Sequence, residues 1–327
     1  MRQRASFIVF LLFSAVALTS LIADIKVTAA TIKQLFLSSR QTKEYGLRED
    51  GIVFPGGMIE GFLIIDYDVE YSIVNKKSLS MDLYFPSVQD SNMPAVIYVH
   101  GGAWASGNKE SGPGLLVIAR LVDAGFVVAA VDYRLAPRYV FPAQIIDIKT
   151  AIRFLRKNSA VFGIDPLRIG AFGTSAGGHL VSLAGLTPGN PEFSGKDYIE
   201  ESDSLAAVAD LFGPADLDKL FVGIERTLAK SIFGDGEDAL KIGSPVEYVS
   251  ENAPPFLIVQ GDRDLVVPLY QSELFYQTLL QRGNYAELLI VENAGHGFIP
   301  SGGRITPSLV EIADRVTDFF KTYLKSN

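Results

Sequence analysis

The 327-residue sequence contains no cysteine, which excludes disulfide bridges, thiol nucleophiles and thiolate metal sites. Histidine is scarce as well, since only three occur and they are scattered along the chain. A cluster of metal ligands is therefore not expected, and we expect no cofactor. Basic residues are outnumbered by acidic ones, 29 to 37, for a formal net charge of −8. That balance argues against a nucleic-acid partner, because binding nucleic acid requires a basic face.

What the chain does contain is typical of a globular protein with a substantial core. Hydrophobic residues make up 48% of it and charged residues 20%. Its length suits one large α/β domain or two smaller ones. The lack of cysteine leaves the cellular compartment open, since exported proteins of this size fold without disulfides.

The first 30 residues carry an apolar run behind a basic start. Two arginines in MRQR precede an uncharged stretch from Ala5 to Ala23. Small-residue cleavage sites at 15–17 and 27–29 favour a signal peptide, whereas the length of the run favours a membrane anchor. We therefore expect residues 1–30 to be a signal peptide or an N-terminal membrane anchor. The protein is then exported, to the periplasm or outside the cell, or associated with the membrane.

After a weakly patterned stretch, residues 31–60, which we expect to be a tether with irregular structure, strands and helices alternate. Two apolar runs around VNKK predict an antiparallel hairpin, and the runs beyond it have the length of buried strands. The predicted strands are 64–73, 79–85, 95–99, 126–131, 167–172, 206–212, 256–260 and 286–291, with helices over 143–158, from residue 176 and from about residue 306. This order predicts one α/β domain over residues 61–327, a mostly parallel sheet with helices on both faces.

Two segments interrupt the alternation. Residues 216–250 form a long insertion with helical pieces between two strands, and we expect it to be a small cap over the site. Residues 186–204 are a polar excursion, either a second part of that cap or a surface loop.

A candidate nucleophile lies in the stretch GAFGTSAGGHL, where Ser175 is at the centre of a G-x-S-x-G string after a strand. A serine needs a base, and only three histidines are available. His100 begins a glycine turn, and His179 is one helical turn beyond the serine, where its ring cannot readily fold back onto the hydroxyl. His296, on a glycine-flanked loop, remains as the candidate base.

The acid that orients the base is sought in GDRDLVVP, directly after a predicted strand. Asp262 and Asp264 are both candidates. Asp262 follows the glycine, where it would naturally brace the turn, so we favour Asp264. The chain order Ser175, Asp264, His296 is typical of α/β-hydrolases and differs from the chymotrypsin and subtilisin orders.

Backbone N–H groups that stabilise a developing oxyanion are expected from two glycine-rich turns. Ala176, the residue after the candidate nucleophile, offers one from a helix N-terminus. In HGGAW, Gly101 and Gly102 allow close approach of the backbone, and Ala103 retains its N–H.

Aromatic residues next to these turns are candidates for the substrate crevice, although most aromatic residues of this kind simply pack in a core. They are Trp104, Phe212 and Phe298.

Together these motifs resemble the α/β-hydrolase group that contains the hormone-sensitive-lipase-like esterases, and more closely its feruloyl-esterase-like (BD-FAE-like) branch. The motifs are HGGAW, DYRLAP, FPAQIIDIKTAIRFL, GTSAGGHL, FGPADL, GDRDLVVP and AGHGF, and the resemblance covers residues 64–325. It implies the α/β-hydrolase fold, with Ser175 as nucleophile, His296 as base and Asp264 as orienting acid. It also implies that Gly102, Ala103 and Ala176 donate to the oxyanion.

Two positions depart from the family pattern. Ala103 stands where lipase-type relatives often have a third glycine, and Thr174 stands where an acidic residue is common. The alanine keeps the N–H donor, and its methyl group is expected to narrow the part of the substrate pocket that holds the acyl group. The threonine puts any detailed analogy of the pocket in doubt.

The resemblance implies a serine carboxylic-ester hydrolase that works through an acyl-enzyme on small acyl or aryl esters, with sugar esters as a further option. A serine peptidase, or an amide or formamide hydrolase on the same fold, is the alternative. A non-catalytic binding protein is less favoured, because the chain retains all three triad residues. The expected partner is a small-molecule ester, and the sequence leaves the oligomeric state open.

Overall fold

The computed structural model describes residues 51–54, 57–60 and 64–325. The expected signal peptide or anchor, residues 1–30, lies outside these ranges. The chain divides into two units between Met58 and Ile59. Strands β1 (Gly51–Phe54) and β2 (Gly57–Glu60) pair in a two-stranded sheet, so short strands occur within the stretch expected to be irregular.

Eight strands between residues 64 and 291 form a second sheet, in the order β10-β9-β8-β7-β5-β6-β4-β3. They are β3 (Ile64–Val74), β4 (Lys77–Phe85), β5 (Met93–Val99), β6 (Val127–Val131), β7 (Ile164–Thr174), β8 (Val208–Leu211), β9 (Phe256–Gly261) and β10 (Ala286–Val291). The β3–β4 hairpin is antiparallel, as the runs around VNKK predicted, and β4 is also antiparallel to β6. The remaining neighbours in the sheet are parallel, namely the pairs β5–β6, β5–β7, β7–β8, β8–β9 and β9–β10.

The helices of this unit are α1 (Leu115–Asp123), α2 (Ala143–Lys157), α3 (Ser159–Phe162), α4 (Ala176–Leu186), α5 (Leu217–Leu220), α6 (Ile224–Phe233), α7 (Ala239–Ile242), α8 (Tyr270–Gln281) and α9 (Leu309–Leu324). Strands β5, β6, β8 and β9 are buried along their whole length, so both faces of the sheet are covered. The packing of α1 with α9, and of α2 with α4, forms two helical layers that account for this cover.

Helical periodicity explains why α2 docks against the sheet. Ile145, Ile148, Ile152 and Leu155 recur at intervals of three or four residues, and all four are fully buried. Each buried aliphatic side chain contributes about 1.5–3 kcal/mol relative to an exposed one. The apolar face predicted from sequence is therefore the face that packs.

Helix α9 begins slightly later than the Thr306-Pro307 pair suggested. The Ser308 side chain accepts a hydrogen bond from the Glu311 backbone N–H, and the Glu311 carboxylate accepts one from the Ser308 backbone N–H. This capping box fixes Leu309 as the first helical residue.

The segments that interrupt the alternation pack in different ways. The insertion 216–250 contains α5, α6, α7 and a 3₁₀ turn at Pro245–Tyr248, which agrees with the helical pieces predicted for it. The excursion 186–204 is fastened to α2, because Lys149 and Arg153 reach across to it.

Candidate active site

Parallel strands bring four chain segments to one edge of the sheet. Strands β5, β7, β9 and β10 are parallel, and each is followed directly by one of the segments HGGAW, SAGG, DRD and ENAGHG. Because the carboxyl ends of parallel strands share an edge, residues far apart in sequence meet there.

Ser175 lies between β7 and α4 in a strained backbone conformation, with φ 55° and ψ −118°. Such a conformation costs about 1–3 kcal/mol and persists only where the surroundings enforce it. Here the serine N–H donates to the Leu211 carbonyl at 2.9 Å, and its carbonyl accepts from the His179 N–H at 3.0 Å. The close approach also requires Gly177, because a Cβ atom there would collide with the Val99 carbonyl.

A continuous chain of hydrogen bonds joins the three predicted triad side chains. Ser175 Oγ is 2.9 Å from His296 Nε2, and His296 Nδ1 is 2.8 Å from Asp264 Oδ2. The Asp264 side chain is fully buried, whereas the His296 side chain is 26% exposed. A ring that donates from Nδ1 to the carboxylate leaves Nε2 to accept the serine proton, which is the arrangement a general base requires.

Three further donors hold the Asp264 carboxylate in place. Oδ1 accepts from the backbone N–H groups of Val266 at 2.8 Å and Val267 at 2.9 Å. Oδ2 accepts from Gln260 Nε2 at 3.0 Å. Asp262 instead accepts from the Ala294 N–H at 3.2 Å and braces the turn. Of the two candidate carboxylates, Asp264 is therefore the one that contacts the imidazole.

The HGGAW turn lies directly beside the serine. A Cβ atom built on Gly101 would be 3.3 Å from Ser175 Cβ and 2.8 Å from the Thr174 carbonyl oxygen, so Gly101 is in close contact with the β7–α4 turn. Gly102 has a φ of 119°, and its carbonyl accepts from the N–H groups of the residues at 105 and 106. Ala176 is the first residue of α4, where backbone N–H groups point out of the helix.

Support for this turn comes from two residues that the sequence analysis did not single out for it. The ring of His100 stacks on Tyr133 with centroids 4.3 Å apart, and its Nδ1 lies 2.7 Å from the Gly101 carbonyl oxygen. Tyr133 donates from its hydroxyl to the His100 carbonyl at 3.0 Å. Burial lowers the pKa of His100. The sequence signal that could have identified Tyr133 was its place in the DYRLAP motif.

The three aromatic residues proposed for the substrate crevice are almost completely buried. Trp104 is 4%, Phe212 2% and Phe298 3% exposed. Phe212 packs edge-to-face against the imidazole of His296 at 5.1 Å and against Phe298 at 4.8 Å. Phe212 therefore packs directly on the imidazole, and Phe298 packs on Phe212.

Three charged residues in and near the DYRLAP motif brace the fold. Arg134 makes a bidentate pair with Asp147, whose carboxylate also accepts from the Arg134 backbone N–H. Asp132 accepts from the Lys109 N–H at 2.8 Å.

No group of three or more His, Cys, Asp or Glu side chains within the described ranges is arranged to hold a metal ion. Over the same ranges no helix is both long enough and apolar enough to span a bilayer.

Comparison with known families gives a match to the BD-FAE model over residues 81–279. Among curated proteins, esterase LipC of Mycobacterium tuberculosis is 36% identical over 233 residues, which is 67% of this chain and 57% of that protein. The isoprenylcysteine alpha-carbonyl methylesterase ICME of Arabidopsis thaliana is 30% identical over 260 residues, 73% of this chain and 60% of that protein. The chain thus spans little more than half the length of these relatives.

Solved structures with the same architecture include a truncated carbohydrate esterase from gut microbiota, with a TM-score of 0.69 and 28% identity over 86% of this chain and all of that one. The propionate-bound esterase Est2 of Thermogutta terrifontis has a TM-score of 0.68 and 26% identity over 81% of this chain and 96% of that one. These matches confirm the predicted α/β-hydrolase fold and the predicted family resemblance.

Proposed function

The chain belongs to the BD-FAE family, and from this membership and the geometry of the site we propose that it is a serine carboxylic-ester hydrolase. The observation that carries the proposal is the hydrogen-bonded chain from Ser175 through His296 to Asp264. Names of the relatives support it, since LipC and ICME are both called esterases.

The reaction proceeds in two halves through an acyl-enzyme. His296 Nε2 removes the Ser175 hydroxyl proton as Oγ attacks the ester carbonyl carbon, and the carbonyl oxygen becomes an oxyanion. Collapse of this intermediate breaks the bond to the alkoxy oxygen, which leaves as the alcohol with the proton from His296. Water then attacks the acyl-serine with the same base, and the acid and the free serine are released.

Stabilisation of the oxyanion falls to backbone N–H groups. The Ala176 N–H, at the N-terminus of α4, and those of Gly102 and Ala103, in the turn beside Ser175, are the proposed donors. Gly101 allows the close approach. A single donor of this kind is worth about 3–4 kcal/mol in the transition state.

Small acyl or aryl esters, including esters of sugars, are the proposed substrates. The solved relatives favour this group, since one is called a carbohydrate esterase and another is an esterase with bound propionate. Hydrolysis of amides or formamides needs the same triad, so a panel with matched ester and amide substrates separates these reactions. We expect kcat/KM to be highest for the esters.

The decisive test compares Ser175→Ala with Ser78→Ala, a change at an exposed serine near the start of strand β4. Hydrolysis of p-nitrophenyl acetate and butyrate by Ser175→Ala should fall by a factor on the order of 10⁴ to 10⁶. Labelling by a fluorophosphonate should disappear, while Ser78→Ala keeps both. An unchanged hydrolysis rate in Ser175→Ala would falsify the assignment.

We propose in addition that residues 1–30 direct the chain to or across a membrane. The proposal rests on the apolar sequence from Ala5 to Ala23 behind two arginines. Expression of the full chain in a bacterial host, followed by fractionation and an alkaline carbonate wash, distinguishes a retained membrane anchor from a cleaved signal peptide. An anchored protein stays with the membranes, a cleaved one appears in the periplasm or medium, and recovery in the cytosol contradicts both.

A further inference from the structure

His179 occupies the first turn of α4, one turn beyond Ser175, and its side chain is fully buried. Its backbone N–H donates to the Ser175 carbonyl, but its ring takes no part in the triad, where Ser175 Oγ is bonded to His296. A buried imidazole that the reaction does not use directly requires another explanation.

Both ring nitrogens of His179 are engaged. The indole Nε1 of Trp104 is 3.1 Å from Nδ1, and Nε2 is 2.6 Å from the Gly243 carbonyl oxygen. Because an indole nitrogen can only donate, Nδ1 must accept, and Nε2 must carry the proton that is donated to Gly243. Burial lowers the pKa of His179 to about 4, which keeps the ring neutral in this role near neutral pH.

Trp104 belongs to a strained part of the HGGAW turn. Ala103 has a φ of 50° and Trp104 a φ of 57°, so two consecutive residues other than glycine adopt left-handed conformations. Each such residue costs about 1 kcal/mol, and the surroundings must therefore enforce the turn. One constraint is the Trp104 carbonyl, which accepts from the Ala136 N–H at 2.9 Å.

The other constraints act on the indole ring itself. It lies edge-on to the imidazole of His179 at 5.1 Å and to the ring of Phe233 at 5.0 Å, and it donates its N–H to His179. Edge-to-face packing fixes the plane of the indole ring, and the hydrogen bond to His179 fixes the position of its Nε1 atom. Rotation of the indole is thereby coupled to the backbone of Ala103, the preceding residue.

The second ring nitrogen extends this coupling to the insertion 216–250. Gly243 follows α7 directly, and its N–H donates to the Ala239 carbonyl at 3.1 Å. The turn is tightly packed, because a Cβ atom on Gly243 would lie 3.0 Å from Leu217 and 3.1 Å from Phe233. His179 therefore joins the helix that begins after Ser175, the HGGAW turn and the insertion.

We propose that His179 is a positioning residue that holds Trp104, and through it the Ala103 N–H, in the geometry the oxyanion requires, and that it ties this geometry to the insertion at Gly243. The proposal rests on the proposed function, because an oxyanion forms only if Ser175 attacks an acyl group. It predicts a defect in the transition state of the reaction rather than in substrate binding.

Three variants test this role. His179→Phe keeps an aromatic ring but removes both hydrogen bonds. His179→Gln keeps an acceptor for the indole and a donor for the Gly243 carbonyl. Trp104→Phe keeps His179 and its bond to Gly243 but removes the indole donor.

The expected result is a fall in kcat with little change in KM. For p-nitrophenyl acetate, His179→Phe and Trp104→Phe should lower kcat by about 10- to 100-fold, less than the loss of a whole oxyanion donor. The inhibition constant of benzeneboronic acid, which forms a tetrahedral adduct with the serine, should rise by a similar factor. His179→Gln should recover most of both losses.

Two further measurements distinguish positioning from general destabilisation. Trp104 is the single tryptophan of the chain, so its emission spectrum reports directly on this contact. Emission should shift in His179→Phe and stay close to the original in His179→Gln. The double variant His179→Phe/Trp104→Phe should be no slower than the slower single variant, because both changes interrupt the same connection.

The proposal is overturned if Trp104→Phe, measured as folded protein, keeps the original kcat and boronate affinity. It is equally overturned if the variants raise KM and leave kcat unchanged. If His179→Phe does not fold, Trp104→Phe and His179→Gln still decide the question. Failure of the proposed function has a different signature, because the unmodified protein would then neither hydrolyse esters nor react with a fluorophosphonate.

Discussion

At the scale of single residues, the two aspartates of GDRDLVVP make a matched pair. Asp264 contacts His296, whereas Asp262 accepts only from the Ala294 backbone N–H among the bonds described for it. Asp264→Asn should lower kcat by about 10⁴-fold, since an amide beside Nδ1 stabilises the wrong tautomer of the base. Asp262→Asn retains an oxygen acceptor for Ala294 and should leave kcat unchanged. Steady-state kinetics on p-nitrophenyl acetate measures both, and equal losses in the two variants would contradict the assignment of Asp264.

Asp210, buried at the end of β8, gives a prediction about pH. Its carboxylate accepts from the Gly213 N–H at 2.8 Å and from the Ser182 hydroxyl at 3.0 Å, and burial raises its pKa from 3.8 to about 6. Between pH 3.8 and about pH 6 the carboxyl group of Asp210 retains its proton in the folded chain and has lost it in the unfolded chain. The free energy of unfolding therefore decreases as the pH rises through this range. The stability lost by pH 7 is about 3 kcal/mol, at about 1.4 kcal/mol per pKa unit.

Asp210→Asn removes that dependence while retaining an oxygen for the Gly213 N–H. Relative to the original chain, the variant should therefore gain stability between pH 4 and pH 6 and keep a constant advantage above this range. Urea unfolding of both proteins at pH 4.5 and pH 7.5 measures the difference. A difference that is the same at the two pH values would show that Asp210 does not titrate in this range.

At the scale of secondary-structure elements, helix α2 carries a buried ion cluster. Lys149 and Arg153 both pair with Asp203 of the excursion 186–204, at 3.1 and 3.3 Å, and all three side chains are buried. Asp203→Asn leaves two buried cations without their counter-ion and should lower the free energy of unfolding by about 3–5 kcal/mol.

An exposed ion pair between the same helix and the same excursion is the control. Lys157 and Glu200 are 3.2 Å apart at the surface, where water screens the attraction, so Glu200→Gln should leave the melting temperature unchanged. Calorimetry of both variants separates the two cases. If Asp203→Asn melts with the original protein, the excursion is not held by this cluster.

The elements also show what sequence patterns predict and where they stop. Apolar runs such as AVIYV predicted the strands because their residues are buried on both faces, and the period of α2 predicted its packed face. Strands β1 and β2 were not predicted, because four residues carry too little periodicity. The first residue of α9 depends on the Ser308–Glu311 capping box, a more local signal than the Thr306-Pro307 pair used to locate it.

At the scale of the whole molecule, the convergence of the three candidate triad residues could be predicted from the order of the strands. Parallel strands end at one edge of the sheet, so residues that follow them are close in space although they are far apart in sequence. Ser175, Asp264 and His296 are separated by up to 121 positions, yet each follows a parallel strand that ends at one edge. Contacts between side chains on different elements had no such signal. The bonds of His179 to Trp104 and Gly243 span 75 and 64 positions, and only the packed fold reveals them.

This arrangement leads to a prediction about the smallest active chain. The eight-stranded sheet and all the proposed catalytic residues lie within residues 64–325. A protein comprising residues 61–327 should therefore unfold cooperatively and hydrolyse p-nitrophenyl acetate with the kcat/KM of the full chain in detergent. Calorimetry and steady-state kinetics on the two proteins test this. Cooperative unfolding with a large loss of kcat/KM would show that residues before 61 contribute to the site, and loss of cooperative unfolding would show that the proposed domain boundary is wrong.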